Sequence, residues 1–125
     1  MPANTLISVV DDDPSMSRML ARIITAAGFD VESFGSAEAF LQCGRIDDSA
    51  CLILDVDLPG MNGLELQQKL NDAGHTLPII FISADATEEM QQKMLASGAL
   101  GFFKKPFSID SLLAKVRSVE SLTLI

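Results

Sequence analysis

Five short apolar runs, each followed by a stretch that reads as a helix, constrain this 125-residue chain more than any other feature. They are Leu6-Val10, Val31-Phe34, Cys51-Leu54, Pro78-Ile82 and Leu100-Phe103. All but the second are nearly continuous in apolar residues, the mark of strands buried on both faces of a sheet. Val31-Phe34 alternates in part, as an edge strand would. Between the runs the helix signals are consistent. Pro14 follows Asp13 in the order of an N-cap and a first helical residue, and Met16, Met19, Leu20, Ile23, Ile24 and Ala27 recur at helical spacing until Gly28. Ser36 opens a short helix carrying Ala37, Phe40 and Leu41, and Asn62 with Glu65 has the spacing of a capping box ahead of Leu66, Leu70 and Ala73. Thr87 to Ser97 reads as a helix with Met90, Met94 and Leu95 inward. Ser108 caps a last helix with Leu112, Leu113, Val116 and Val119 at core spacing, and Phe107 and Leu112 are placed as a hydrophobic staple. Repeated strand-helix units in so short a chain require parallel pairing through right-handed crossovers, which puts helices on both faces of the sheet. The expected fold is a doubly wound α/β domain over residues 1–125.

A chain of 13.4 kDa with 48% hydrophobic residues has enough apolar surface to offset the entropy of ordering, so one globular domain is expected. The net charge of −8 opposes contact with a phosphate backbone, so this domain is not expected to bind nucleic acid directly. No apolar stretch approaches the roughly 20 residues of a membrane span, and the N-terminus lacks the basic-then-apolar pattern of a signal peptide. A cytoplasmic location without membrane contact is the expectation. Cys43 and Cys51 are too few for a disulfide framework and read as reduced structural thiols. His75, in a Gly74-His75-Thr76 loop signal, reads as a solvent-exposed loop histidine.

The chemistry concentrates where the apolar runs end. Leu6-Val10 gives way to Asp11, Asp12 and Asp13, Cys51-Leu54 to Asp55, Pro78-Ile82 to Ser83, and Leu100-Phe103 to Lys104 and Lys105. In open α/β sheets ligands bind outside the carboxyl ends of the strands, so these groups are expected at one edge. Asp13 is accounted for as a helix cap. Asp11, Asp12 and Asp55 would repel one another there unless a divalent cation sat among them. A metal beside a spare carboxylate, a hydroxyl and a lysine can support phosphoryl transfer.

Val9-Val10-Asp11-Asp12, the segment Asp55-Val56-Asp57-Leu58-Pro59-Gly60-Met61-Asn62-Gly63, Ser83-Ala84 and Lys105-Pro106-Phe107 together resemble the receiver domain of two-component response regulators, in family order and spacing. The resemblance covers essentially the whole chain and implies a flavodoxin-like (βα)5 fold, like that of the chemotaxis regulators, with strand order 2-1-3-4-5. It implies that Asp55 accepts a phosphoryl group, that Asp11 and Asp12 hold Mg²⁺ or Mn²⁺, and that the backbone carbonyl of Asp57 completes the metal's protein ligands. The family's hydroxyl position falls on Ser83 and its lysine on Lys105 rather than Lys104, with a cis bond to Pro106. Its aromatic switch position falls on Phe102, for which a plain core role stands as the alternative. Asp57 and Asp85 occupy the positions that modulate hydrolysis of the acyl phosphate. The implied partners are a sensor histidine kinase or histidine phosphotransfer protein as donor and an effector domain or protein as output. A homodimer formed on phosphorylation is a further expectation, as is catalysis of the chain's own phosphorylation and dephosphorylation.

Other readings fit less well. Asp55-Val56-Asp57 has the form of the haloacid-dehalogenase phosphatase motif, but that motif resembles the end of a first strand, and a complete strand-helix-strand-helix precedes it here. The same segment imitates a calcium loop until Pro59 in the fifth place and Leu66 in the twelfth. A flavin-binding relative would carry a loop rich in Gly, Ser and Thr where this chain has acids. A phosphorylation-independent interaction module would have lost one of the acidic pair, the acceptor or the lysine.

Overall fold

The computed structural model describes residues 5–123, with side-chain surroundings described through Val119. Its strands are β1 (Leu6–Val10), β2 (Asp30–Phe34), β3 (Cys51–Asp55), β4 (Ile79–Ser83) and β5 (Gly101–Lys104). Its helices are α1 (Pro14–Ala26), α2 (Ala37–Leu41), α3 (Gly63–Asp72), α4 (Glu88–Ala96) and α5 (Ile109–Thr123), with a 3-10 turn at Ile46–Asp48. Every strand pair is parallel and the sheet order is β2-β1-β3-β4-β5. This is the doubly wound (βα)5 arrangement expected above.

Alternation along the strands divides the core into two layers. Ile7, Val9, Cys51, Ile53, Ile80 and Ile82 face one side and bury against Leu20 and Ile24 of α1 and Leu112, Val116 and Val119 of α5. Val10, Leu52, Leu54, Ile79 and Phe81 face the other side, under Phe40 of α2, Leu66 and Leu70 of α3, and Met94 of α4. The period of two in the strands thus decides which helices each residue meets. Ser8 falls on a buried position and satisfies its hydroxyl against that of Ser49 at 2.5 Å.

The helix starts follow their local signals. The Asp13 carboxylate accepts from the Ser15 amide with Pro14 inside the first turn, Ser36 accepts from Ala39, and Thr87 accepts from Met90. Asn62 and Glu65 form a reciprocal capping box. The Ser108 hydroxyl accepts from the Ser111 amide at 3.3 Å, and Phe107 and Leu112 meet in one hydrophobic layer.

Several expectations are corrected. Met19 and Leu95 are 36% and 46% exposed; each sits one residue, about 100° around the helix, from a stripe centred on Leu20 or Met94. Ala73 is exposed because it closes α3 as its C-cap. β3, β4 and β5 end one residue later than their apolar composition indicates, because Asp55, Ser83 and Lys104 still hold register positions opposite Ile82, Lys104 and Ser83. His75 is half-buried, its Nδ1 lying 2.6 Å from an Asp47 carboxylate oxygen at the amino end of the sheet. Both cysteines are free thiols; burial pushes Cys51 up to about 12.

Candidate functional site at the carboxyl edge

The strand order reverses between β1 and its two neighbours, so the loops leaving β1 and β3 depart toward opposite faces and leave a crevice between them. Asp11 directly follows β1 and Asp55 ends β3 at this point. Asp11 is 2% exposed and Asp55 3%. One carboxylate oxygen of each caps its own loop: Asp11 Oδ1 accepts from the Asp13 amide at 2.9 Å, and Asp55 Oδ1 accepts from the Asp57 amide at 2.9 Å. These short loops turn both Oδ2 atoms toward Lys105, whose Nζ lies 3.5 Å from Asp11 Oδ2 and 3.4 Å from Asp55 Oδ2. Lys105 follows β5, its amide donating to the Ser83 carbonyl at 2.8 Å, and the Lys105-Pro106 bond is cis. Lys104 is exposed.

Electrostatics reflect the crowding. Burial raises the Asp11 carboxyl above the ordinary carboxylate value; the Asp13 amide and Lys105 lower it, and the nearby Asp55 raises it further. Burial alone would lower the Lys105 ammonium, but attraction to Asp11 and Asp55 outweighs it and the pKa is raised. Oxygens of Asp11, Asp12 and Asp55 all lie within 4.8 Å of one another, with Asp12 open to solvent. Clustered hard oxygens, one ligand face exposed, suit a divalent cation of the Mg²⁺ type. A single lysine leaves the cluster negative, so the donor set fits such an ion by charge as well as by chemistry.

Ser83, fully buried, reaches the same edge from β4. Its hydroxyl donates to Asp57 Oδ2 at 2.7 Å and accepts from the amides of Asp85 and Ala86 at 3.2 and 3.1 Å. Phe102 is half-buried on β5 opposite Phe81 and packs on the layer that includes Met94. Asp11, Asp12, Asp55 and Lys105 are therefore brought together, Ser83 and Asp57 form an adjoining pair, and Phe102 lies behind them. Asp57 contributes its carboxylate to Ser83 rather than to the acidic cluster.

Two contributors were not anticipated from sequence. Gly63 donates its amide to the Val56 carbonyl at 3.1 Å, and a Cβ on it would stand 2.8 Å from the Asp55 carbonyl oxygen and 2.9 Å from Val56 Cα. Glycine at the first position of a helix was the available signal. Glu38 of α2 reaches the same loop, accepting from the Met61 amide at 3.4 Å. No local pattern announces that contact, which spans 23 residues.

Residues 7–117 match the family model described as the response regulator receiver domain. The chain belongs to this family. The receiver is 38% identical over 118 residues to the response regulator protein TodT of Pseudomonas putida, covering 94% of this chain and 52% of that protein. It is 40% identical over 118 residues to the response regulator protein TmoT of Ectopseudomonas mendocina, covering 94% and 54%. The receiver thus spans about half the length of these curated relatives. Among solved structures, the response regulator StyR superposes with a TM-score of 0.88 at 38% identity, over 96% of this chain and 61% of that one. The receiver domain of a Francisella response regulator superposes with a TM-score of 0.89 at 25% identity, over 96% and 99%. Among the described residues no helix is long and apolar enough to cross a membrane.

Proposed function

We propose that this receiver, residues 1–125, is a phosphorylation-activated signalling switch in which Asp55 takes a phosphoryl group from a phosphohistidine of a sensor kinase or phosphotransfer protein. The observation that carries the reading is the buried Asp55 carboxylate at the crevice, within 4.8 Å of Asp11 and Asp12 oxygens and with Lys105 Nζ 3.4 Å away. An Asp55 carboxylate oxygen attacks phosphorus, an O–P bond forms as the N–P bond to imidazole breaks, and the imidazole leaves neutral after taking a proton. Asp11, Asp12 and Asp55, with the Asp57 carbonyl, would hold Mg²⁺ or Mn²⁺, which neutralises charge on the transferring oxygens. Lys105 supplies a fixed ammonium for a phosphoryl oxygen, and Ser83 a hydrogen bond to another once its hydroxyl turns from Asp57. Water later cleaves the acyl phosphate, returning the carboxylate and inorganic phosphate, and the acidic side chains of Asp57 and Asp85, at the family positions that modulate this step, would add negative charge near the attacking water. The switch acts in the cytoplasm, and its output is an effector domain or protein partner reached through Phe102, not nucleic acid bound by this acidic domain.

Acetyl phosphate with Mg²⁺ is expected to add one acid-labile phosphoryl group, seen as a mass increase of the intact chain, and Asp55→Asn to abolish it. Modification that survives in the Asn variant, or a parent that stays unmodified with a competent kinase, overturns the assignment.

A further inference from the structure

We propose that Asp57 is a positioning residue that holds the Ser83 hydroxyl in its resting orientation, so that phosphoryl acceptance must break the Ser83-Asp57 hydrogen bond. The inference rests on the phosphoryl reading only for its second half. A serine hydroxyl has one hydrogen to donate. Here it is given to Asp57 Oδ2 at 2.7 Å; Ser83 is fully buried, while Asp57 is exposed.

Four further contacts make this a latch between two loops rather than one bond. The Asp57 amide is held by Asp55 Oδ1 at 2.9 Å, which aims the residue across the crevice. Oδ2 also accepts from the Ala84 amide at 3.4 Å. The Ser83 oxygen, with its hydrogen committed to Asp57, presents its lone pairs to the Asp85 and Ala86 amides. The loop after β3 and the loop before α4 are thereby tied through one hydroxyl. A phosphoryl oxygen on Asp55 and the Asp57 carboxylate compete for the same hydrogen, and only one can have it. A charge-assisted bond is stronger than a neutral one, so this acid sets a threshold that the phosphoryl group must exceed.

The resting protein tests the first half without any phosphoryl chemistry. In Asp57→Ala, amide hydrogen exchange at Asp85 and Ala86 should accelerate by on the order of tenfold, because the hydroxyl that accepts from them is free to rotate. Asp57→Asn, which keeps an acceptor oxygen but not the charge, should restore most of the protection. Unchanged exchange in Asp57→Ala overturns the latch. The second half is tested with beryllofluoride and Mg²⁺ in a double-mutant cycle with Ser83→Ala, affinity being read by calorimetry. Asp57→Ala alters local charge in either background, but the gain in affinity from releasing the hydroxyl should appear only where Ser83 is present, as a coupling of about tenfold. Equal effects in both backgrounds overturn the competition. A parent that fails to bind beryllofluoride at all sinks the phosphoryl reading and the competition together, while the exchange result still judges the resting latch.

Discussion

Asp11 shows how one residue couples folding to the chemistry. Its carboxyl is buried beside Asp55, and burial holds its pKa above the ordinary value in the folded chain. The folded protein therefore binds this proton more tightly than the unfolded chain does. Without a divalent ion, the contribution of Asp11 to stability is fully present below the ordinary carboxylate value and is lost as pH rises through the folded value. In a chelating buffer at neutral pH, Asp11→Asn should raise the thermal midpoint by a few degrees, the scale of ~1 kcal/mol in a domain of this size. The advantage should shrink toward acid pH. Millimolar Mg²⁺ should raise the parent's midpoint by binding the native state, and Asp12→Asn should respond less. Melting curves across pH and Mg²⁺ check all four. An Asp12→Asn protein that gains as much from Mg²⁺ as the parent removes that residue from the metal site. Lys105 acts in the opposite pH range, its attraction to the two carboxylates being lost only as pH rises beyond its raised value.

At the scale of elements, the junction of β3 with α3 decides how rigidly Asp55 is presented. The capping box of Asn62 and Glu65 starts the helix, and Gly63 lets its first turn sit directly on the backbone of Asp55 and Val56. Both atoms that a Cβ would meet inside 3.0 Å belong to backbone, which cannot swing aside as a side chain can. Gly63→Ala should therefore cost about 1–3 kcal/mol, the range for overpacking, and should slow phosphoryl uptake even where the variant remains folded. Denaturant melts and intact-mass time courses separate the two effects. An alanine variant with parental uptake would show that the junction adjusts freely. Helix α4 differs: Met94 alone among its residues is fully buried, and its flank carries the exposed Leu95. A helix pinned by so narrow a stripe is suited to shift when the Ser83 loop before it is released.

Over the whole molecule, two hydrophobic layers share one sheet, and the acidic edge lies where both meet. In the proposed switch, Ser83 at the end of β4 and Phe102 on β5, which packs on the layer holding Met94 of α4, would carry a change at that edge toward α4. Beryllofluoride with Mg²⁺ should perturb amide signals from about Ser83 through Phe107 and onto α4 and α5, with self-association on that face. Phe102→Ala should leave phosphoryl uptake nearly intact while weakening dimer or partner affinity, since a two-state change needs contacts that differ between the states. Shifts confined to the metal-binding loops would return Phe102 to a core role. Strand and helix positions, helices on both faces of the sheet and the caps at Asp13, Ser36, Asn62 and Ser108 were legible in the sequence. Each depends on spacing of a few residues, which periodicity and capping chemistry read directly. Acids were also legible at the strand ends, because continuous apolar runs stop at them. Lys105 rather than Lys104 was named by family resemblance, but its approach to Asp11 spans 94 residues and only the folded chain displays it. The Ser83-Asp57 bond spans 26 residues and the His75-Asp47 pair 28. Hydrogen bonds of that range depend on how strands are ordered and which way a loop turns, and no local spacing encodes either. The sequence alone therefore determined the elements and the kind of chemistry at the edge, while the tertiary structure decided which donor meets which carboxylate.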